Sequence, residues 1–587
     1  MKASTDLVKY KMANDNKKRG MEKALTNYGD AGFSLFLRKA FIKAMGYSED
    51  ALNRTIVGIA DTGSGYNACH RNAPELIEAV KRGVMLQGGL PIDFPTISLH
   101  ESFSHPTSMF LRNLMAMDTE EMVRAQPMDA VVLIGGCDKT VPAQLMAAAS
   151  VNVPAVQVVT GPMMTGSHRG ERLGACTDCR RFWGMYRAGE IDDAEIEEVG
   201  DKLAPTAGTC MVMGTASTMA CMTEALGMML PGGAAIPAVA ADRLRHGEAA
   251  GARAVHMATE GLTPDKIMTP EAIANAFRIL LAIGGSTNGL VHMTAIARRL
   301  GIDVDLEALD AMGRETPVLV DLKPSGKHYM EDLQRAGGLV TVLRELKPLL
   351  NLDCLTVTGK TLGENIEDAP APWPQDVVRS FNKPLNAEGG IAVLRGNLAP
   401  DSAIIKVSAA SPELMQVEGR AVEFDSLADL ANRIDDDDLD VNADDILVLR
   451  NAGPKGAPGM PESGYIPIPK KLAAAGVKDM VRISDARMSG TAFGSIVLHI
   501  TPEAAVGGPL ALVQNGDRIK LDVDGRRIDV LVDDATLDQR RTAWTPPPAH
   551  EGAERGYLRL YLENVNQAPD GVDFDFLCPP LDGRVTP

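Results

Sequence analysis

No stretch of the 587-residue chain reaches the roughly 18 consecutive apolar residues that a membrane-spanning helix needs, so none is expected. Positive charge is in deficit: 59 Lys and Arg stand against 77 Asp and Glu, a formal net charge of −18. A surface of that sign repels phosphate backbones, which argues against a nucleic-acid partner. Met1 to Arg19 is polar and lysine-rich and has no apolar core, so no secretory signal is expected and the compartment reads as cytoplasmic. Cysteine is scarce. Eight residues are too few for a disulfide scaffold, and a reducing compartment would oppose one. Individual cysteines are therefore available as ligands or nucleophiles.

What is present is the ordinary make-up of a large globular protein, 45% hydrophobic and 23% charged. Residues 1–50 read as a helical arm around FSLFLRKAFIKAMG. From Thr55, short apolar runs (TIVGIA, DAVVLIGG, PAVQVVTG) end in glycine loops and alternate with helical patterns, which predicts an α/β domain with a buried parallel sheet over residues 51–368. Residues 205–300, rich in Ala, Met and Gly, read as closely packed helices. The proline-rich stretch DAPAPWPQD opposes helix and strand alike and marks a linker at 369–376. Beyond it, at 377–587, GIAVLRG, AIIKVSA, RAVEFD, DILVLRN and MVRISDA read as strands, and RIKLDVDGRRIDVLV as a hairpin turning on Asp524–Gly525. The fold class is thus α/β: an N-terminal α/β domain plus a C-terminal β-barrel-like domain with a few helices.

Ligands of open α/β sheets bind beyond the carboxyl ends of the strands. Cys69 follows TIVGIA by one loop, Cys137 ends DAVVLIGG, and Cys210 lies in a Gly/Thr loop that opens a helix. Each reads alone as a small buried hydrophobe. Together, if the loops converge, three thiolates suit an iron–sulfur cluster with one iron left open. Asp138, at the tip of CDKT, is a candidate Mg²⁺ ligand or a helix cap. A deprotonated amine such as that of Lys139 can add CO₂ and become an anionic oxygen ligand. Glu462 ends the stiff loop GPKGAPGMPE, and MSGTAFG offers the hydroxyls of Ser489 and Thr491. That segment is not the GxSxG of a nucleophile elbow.

Other motifs compete. CTDC (Cys176 to Cys179) has no second half of a zinc site, and its polar surroundings do not read as a helix opened by a strand. Cys221, Cys354 and Cys578 read as packing residues. Gly63, Gly65 and Ala68 match the dinucleotide fingerprint, with Asp93 ending a second strand-like run, and an NAD-dependent oxidoreductase is the alternative function. The acidic run Asp435 to Asp445 reads as a solvated turn, because it lacks the central glycine and final Glu of a calcium loop.

TGSGYNAC, GGCDKTVPAQLMAAAS, GTCMVMGTASTMACMTEALGM, AIGGSTNGLVH, LRGNLAPDSAIIK, GPKGAPGMPE, SDARMSGTAFG and HITPEAAVGGPLALVQNGD together resemble the ILVD/EDD dehydratases: dihydroxyacid, phosphogluconate and aldonic sugar-acid dehydratases. The resemblance spans about residues 55–520. It implies an iron–sulfur cluster on Cys69, Cys137 and Cys210, of the [2Fe–2S] type by branch and [4Fe–4S] in other members. It also implies Mg²⁺ on Glu101, Asp138, a carbamylated Lys139 and Glu462. Ser489 would be the base, Thr491 a substrate contact, and the cluster the Lewis acid for the leaving C3 hydroxyl. The implied reaction turns 2,3-dihydroxy carboxylates, whether aldonic sugar acids or 2,3-dihydroxyisovalerate-type acids, into 2-keto-3-deoxy acids. The implied assembly is a homodimer or dimer of dimers, with a small hydroxy acid as the one further partner. Cys176 and Cys179 stand where the family usually lacks cysteine, and His70-Arg71-Asn72 after Cys69 also departs from its pattern.

Overall fold

The structure, a computed structural model, describes residues 19–580 apart from Thr26. Residues 1–18 of the expected helical arm, and with them most of the segment read as no secretory signal, lie outside the described residues. The rest of the arm contains the helix Ala31–Ala44, whose first turn is capped by the Asp30 carboxylate accepting from Phe33 N at 3.0 Å.

Four parallel strands build the first sheet: β1 (Ile56–Asp61), β2 (Leu90–Pro95), β3 (Ala130–Gly135) and β4 (Ala155–Val159), in the order β2-β1-β3-β4. β1 and β3 are buried almost throughout, which is why their sequences are continuous apolar runs with no alternation. The chain moves to one side of β1 to make β2 and returns to the other to make β3. A crevice therefore opens between β1 and β3 at their carboxyl ends. A small antiparallel pair, β5 (Gly166–His168) and β6 (Glu171–Leu173), follows.

Helices cover the sheet, and glycine sets how closely they approach. On the helix Ala73–Leu86, a Cβ at Gly83 would lie 1.9 Å from Glu248 O of the helix Ala241–Glu260. On the latter helix, a Cβ at Gly251 would lie 2.2 Å from Val80 O. Backbone meets backbone here, and no side chain fits between. The Ala- and Met-rich region forms the buried helices Thr215–Ala225, Pro270–Ala282 and Asn288–Arg299 as the composition predicts.

Residues 369–376 form no helix or strand, and Trp373 Nε1 donates to Arg335 O at 3.1 Å. The second sheet holds β7 (Ala392–Leu394), β8 (Ser402–Ile405), β9 (Gln416–Phe424), β10 (Ile446–Leu449), β11 (Arg482–Ser484), β12 (Ile496–Thr501), β13 (Arg518–Asp522) and β14 (Arg527–Val530). Its order is β14-β13-β9-β10-β11-β12-β8-β7. The two edge strands meet at a bridge between Arg395 and Arg527, so the sheet nearly closes into a barrel and hides its edges. β9 to β12 run parallel, whereas the flanking strands are antiparallel. The β13–β14 hairpin differs from the expected two-residue turn. Asp522 pairs with Arg527, leaving a four-residue loop in which Arg526 takes the positive φ of 56°. Gly525 instead donates its N–H to the Asp522 carboxylate at 2.9 Å.

The last described segment returns to the first domain. Tyr561 of the helix Gly556–Asn564 and Phe574 pack with Met109, Val291 and Met460, and the buried Arg112 guanidinium donates to Gly571 O and Val572 O at 2.9 Å each. No helix among the described residues is long and apolar enough to cross a membrane.

The helix Ala73–Leu86 begins just after Cys69, so its glycine contact also fixes a site loop. Gly83→Ala is expected to lower stability by about 1–3 kcal/mol, read from the denaturation midpoint at unchanged m-value.

Candidate active site between the two sheets

Both sheets aim the carboxyl ends of their parallel strands at one cavity of about 1090 Å³. Cys69 comes from the turn after β1, Glu101 from the segment after β2, and Cys137 and Asp138 from the end of β3. Cys210 precedes the helix Thr215–Ala225. From the second sheet, Glu462 lies in the loop after β10, and Ser489 and Thr491 in the loop after β11. All eight line the cavity. Lys139 is fully buried beneath it.

The cysteine loops are tied together by His70. Its Nε2 accepts from Gly136 N and Cys137 N at 2.9 Å each, while Nδ1 lies 2.9 Å from Thr62 O. These partners assign the tautomer: the proton sits on Nδ1 and Nε2 is free to accept. Burial pushes the imidazole down to about 4, so the ring stays neutral as this pattern requires. The residue that looked like a departure from the family pattern thus holds the Cys69 turn against the Cys137 strand end. The Cys69 thiol is pushed up by its hydrogen bond with Cys137 and by burial.

CTDC does open a helix after a strand, contrary to the sequence reading. Cys176 is the N-cap residue of the helix Thr177–Arg187, close behind β6. The polar residues that disguised it are internally paired. Asp178 accepts from Gly174 N at 2.7 Å and from Lys323 at 2.9 Å, and Arg172 pairs with Glu331 and Asp332. Cys176 Sγ lies 3.4 Å from Cys210 Sγ, and Cys179 also lines the cavity. Bonds from Cys179 and Cys210 hold the Cys176 thiol well below the usual thiol range.

Carboxylate oxygens gather on the other side. One carboxylate oxygen from each of Glu101, Asp138 and Glu462 lies within 4.8 Å of the others, the one such group of three donors among the described residues. Lys139 Nζ contacts Asp138 and lies 3.7 Å from Glu101. Arg487, also buried, donates to Glu462 at 2.6 Å and to Thr107 Oγ1 at 2.8 Å, and lies 3.5 Å from Glu101. Burial opposes ionisation of Glu101, but Arg487 and Lys139, with the hydroxyls of Ser108 and Thr107, outweigh it and hold the carboxyl well below its usual range. For Glu462 burial wins over Arg487, reinforced by Glu101, and the carboxyl is pushed up. Three carboxylates thus face two cations, a donor set of hard oxygens with charge to spare for a divalent ion.

The Ser489 turn is clamped from the first domain. Asn288 Nδ2 donates to Met488 O at 3.0 Å and to Thr215 Oγ1 at 3.1 Å. A Cβ at Gly490 would lie 2.5 Å from Ser286 Cβ, so only glycine lets the turn approach. Ser489 Oγ lies 2.8 Å from Thr491 Oγ1, which accepts from Arg180 Nη1 at 2.7 Å. Sequence reasoning passed over three residues of this region, Arg180, Arg487 and Lys406, and noted His70 only as a departure from the family pattern. Each takes its role from a partner distant in the chain, such as Gly136 for His70 or Gly490 for Lys406, and no local pattern marks it.

The family models described as Dihydroxy-acid/6-phosphogluconate dehydratase, N-terminal and C-terminal, match residues 54–365 and 376–572. The chain belongs to that family. Over 553 residues it is 47% identical to an L-arabinonate dehydratase of Rhizobium leguminosarum bv. trifolii (strain WSM2304), covering 94% of this chain and 95% of that protein. It is 44% identical to a 6-deoxy-6-sulfo-D-gluconate dehydratase of Pseudomonas putida over 90% of this chain and 91% of that one. It is 38% identical to a dihydroxy-acid dehydratase of Syntrophobacter fumaroxidans (strain DSM 10017 / MPOB) over 96% and 99%. As a member of the dihydroxy-acid/6-phosphogluconate dehydratase family the protein is a hydro-lyase acting on hydroxy acids. The NAD-dependent alternative finds no support in these matches. Its fingerprint fails physically as well. A 3-10 turn, Ala68–His70, follows the glycines, and the helix begins only at Ala73, so the glycines do not present a helix N-terminus to a pyrophosphate.

Loss of His70 would orphan two buried backbone donors, each costing about 1–3 kcal/mol. His70→Ala is therefore expected to lower stability by at least that order, measured by chemical denaturation.

Proposed function

We propose that this dehydratase converts 2,3-dihydroxy carboxylates to 2-keto-3-deoxy acids, with aldonic sugar acids as its substrates ahead of 2,3-dihydroxyisovalerate-type acids. The observation that carries this reading is the meeting of three hard-oxygen ligands, three thiols and a clamped serine around one cavity. The preference for sugar acids rests on the relatives named for L-arabinonate and for 6-deoxy-6-sulfo-D-gluconate, at 47% and 44% identity against 38% for the dihydroxy-acid dehydratase.

The donor chemistry fits two groups. Cys69, Cys137 and Cys210 would hold an iron–sulfur cluster, [2Fe–2S] or [4Fe–4S], and Glu101, Asp138, Glu462 and a carbamylated Lys139 would hold Mg²⁺. Bound there, the two groups supply Lewis acidity, one toward the carboxylate end of the substrate and the other toward the departing C3 hydroxyl.

The chain's own residues do the rest. Ser489 Oγ takes the C2 proton, the C3 hydroxyl leaves, and the enol so formed gains a proton at C3 to become the ketone. Net, one water is lost. Thr491 orients Ser489 and faces the substrate hydroxyls. Arg487 holds Glu101 and Glu462 in place between turnovers and favours the ionised form of Glu101. Tyr66, 78% exposed, and Phe103, 69% exposed, stand in edge contact beside the Cys69 and Glu101 loops. This uncovered apolar surface fits a homodimer or dimer of dimers. The described cysteines are all free, which suits a cytoplasmic enzyme.

A panel of pentonates, hexonates and 2,3-dihydroxyisovalerate, assayed for 2-keto product with the iron-loaded enzyme, tests the function. Turnover of sugar acids is expected; product from none of them sinks the reading. Replacing Cys69, Cys137 or Cys210 by Ser should bleach the protein, whereas Cys176→Ser should keep its iron; equal bleaching would make Cys176 a ligand. Ser489→Ala should lower turnover by about 10²–10⁴-fold at unchanged iron and Mg²⁺ content.

A further inference from the structure

A serine is a weak base, and the proposed reaction asks Ser489 Oγ to carry negative charge. Two cations stand one hydrogen bond behind the groups that face this oxygen. Arg180 Nη1 donates to Thr491 Oγ1 at 2.7 Å, and Thr491 Oγ1 lies 2.8 Å from Ser489 Oγ. A guanidinium can only donate, so one lone pair of Thr491 is occupied from the Arg180 side and its hydroxyl proton is free to point at Ser489. On the other side, Lys406 Nζ donates to Gly490 O at 3.3 Å. The N–H of that same peptide belongs to Thr491 and points at Ser489 Oγ from 3.5 Å. That distance is long for a neutral hydroxyl, but charged acceptors draw their donors closer.

Neither cation pairs with a carboxylate among the described residues, although the chain carries an excess of acids. Lys406 is 1% exposed, and burial alone pushes its ammonium down to about 7. A buried cation without a counter-ion is costly, and a negative charge formed nearby removes much of that cost. The two residues come from different domains, Arg180 from the helix Thr177–Arg187 and Lys406 from the end of β8, so the relay closes only where the domains meet at the Ser489 turn.

We infer that Arg180 and Lys406 are positioning residues that stabilise the deprotonated form of Ser489, Arg180 through the Thr491 hydroxyl and Lys406 through the Gly490–Thr491 peptide. Each cation polarises the donor in front of it, and bonds in such chains strengthen one another. The inference rests on Ser489 as the base.

The test uses the iron-loaded enzyme, the best acid of the panel and its C2-deuterated form. Arg180→Gln keeps a hydrogen-bond donor without charge, and Lys406→Met keeps length without charge. Each is expected to lower kcat by about tenfold or more, to change KM little, and to raise the isotope effect at C2, because proton removal becomes slower. Arg180→Lys should recover part of kcat. A second readout is independent of turnover: the rate at which phenylmethylsulfonyl fluoride labels Ser489, followed by peptide mass. There the serine oxygen displaces fluoride at sulfur, so the rate tracks alkoxide character and should fall in both variants. Iron content and melting temperature are measured on every sample. If Lys406→Met does not fold, the Arg180→Gln and Arg180→Lys pair decides. Normal kcat, isotope effect and labelling in the variants, with Ser489→Ala inactive, overturn the inference and leave the base assignment standing. A rise in KM alone for Arg180→Gln makes Arg180 a substrate anchor and also overturns it. Near-normal turnover by Ser489→Ala removes the base itself.

Discussion

Three carboxylates, a lysine and an arginine share one half-buried space, and most of the architecture follows from keeping them there. Glu101 arrives on the first sheet's β2 side, Asp138 and Lys139 on β3, and Glu462 and Arg487 from the barrel. The first domain alone does not contain a balanced set. The first domain alone would leave Glu101 and Asp138 with only Lys139, and the barrel alone would leave Arg487 with Glu462. Buried charge without its partner is expensive, so the electrostatics of the site bind the domains to each other as well as to any metal.

The closing of that interface depends on backbone approach. Gly490 lets the Ser489 turn lie against Ser286 and the start of the helix Thr215–Ala225, and Gly459 lets the Glu462 loop lie against Phe110. The returning tail completes the clasp. Tyr561 Oη accepts from Gly459 N at 3.1 Å, and the Glu503 carboxylate accepts from Lys455 N and Gly456 N at 2.9 Å each. The stiff loop GPKGAPGMPE is therefore held by the segment after β12 and by the helix Gly556–Asn564, which fixes Glu462 at the start of the short 3-10 turn Glu462–Gly464.

The parallel sheet was legible because its strands are buried on both faces, and TIVGIA and DAVVLIGG have no other economical reading. The cysteines were legible because they stand at the ends of those runs. β12 was missed: its sequence IVLHIT follows MSGTAFG so closely that the loop signal masked it. The hairpin turn was misplaced because Asp-Gly fits a tight turn equally well when the Asp522 side chain, rather than the backbone, closes it. His70, Arg180, Lys406 and Arg487 could not be read locally. Each draws its meaning from a partner far away in the chain, such as Gly136 for His70 or Gly490 for Lys406. The resemblance supplied ligand types, but it says nothing of the residues that hold those ligands in register.

The proposed base, Ser489, sits on the barrel where the two unpaired cations come close. Glu101, Asp138, Glu462 and Cys210 line the cavity with negative or polarisable groups, an environment that raises the cost of a further anion. Ser489 is approached instead by the two cations that lack carboxylates, each held back by one hydrogen-bonding group. That intervening group matters. A guanidinium touching Ser489 directly would occupy the space a substrate must enter, whereas in the inferred relay the Thr491 hydroxyl and the Thr491 N–H would transmit the charge within a two-residue turn. On the proposed reading a small loop presents a stabilised alkoxide to a cavity of about 1090 Å³, while the charges that stabilise it remain in the walls.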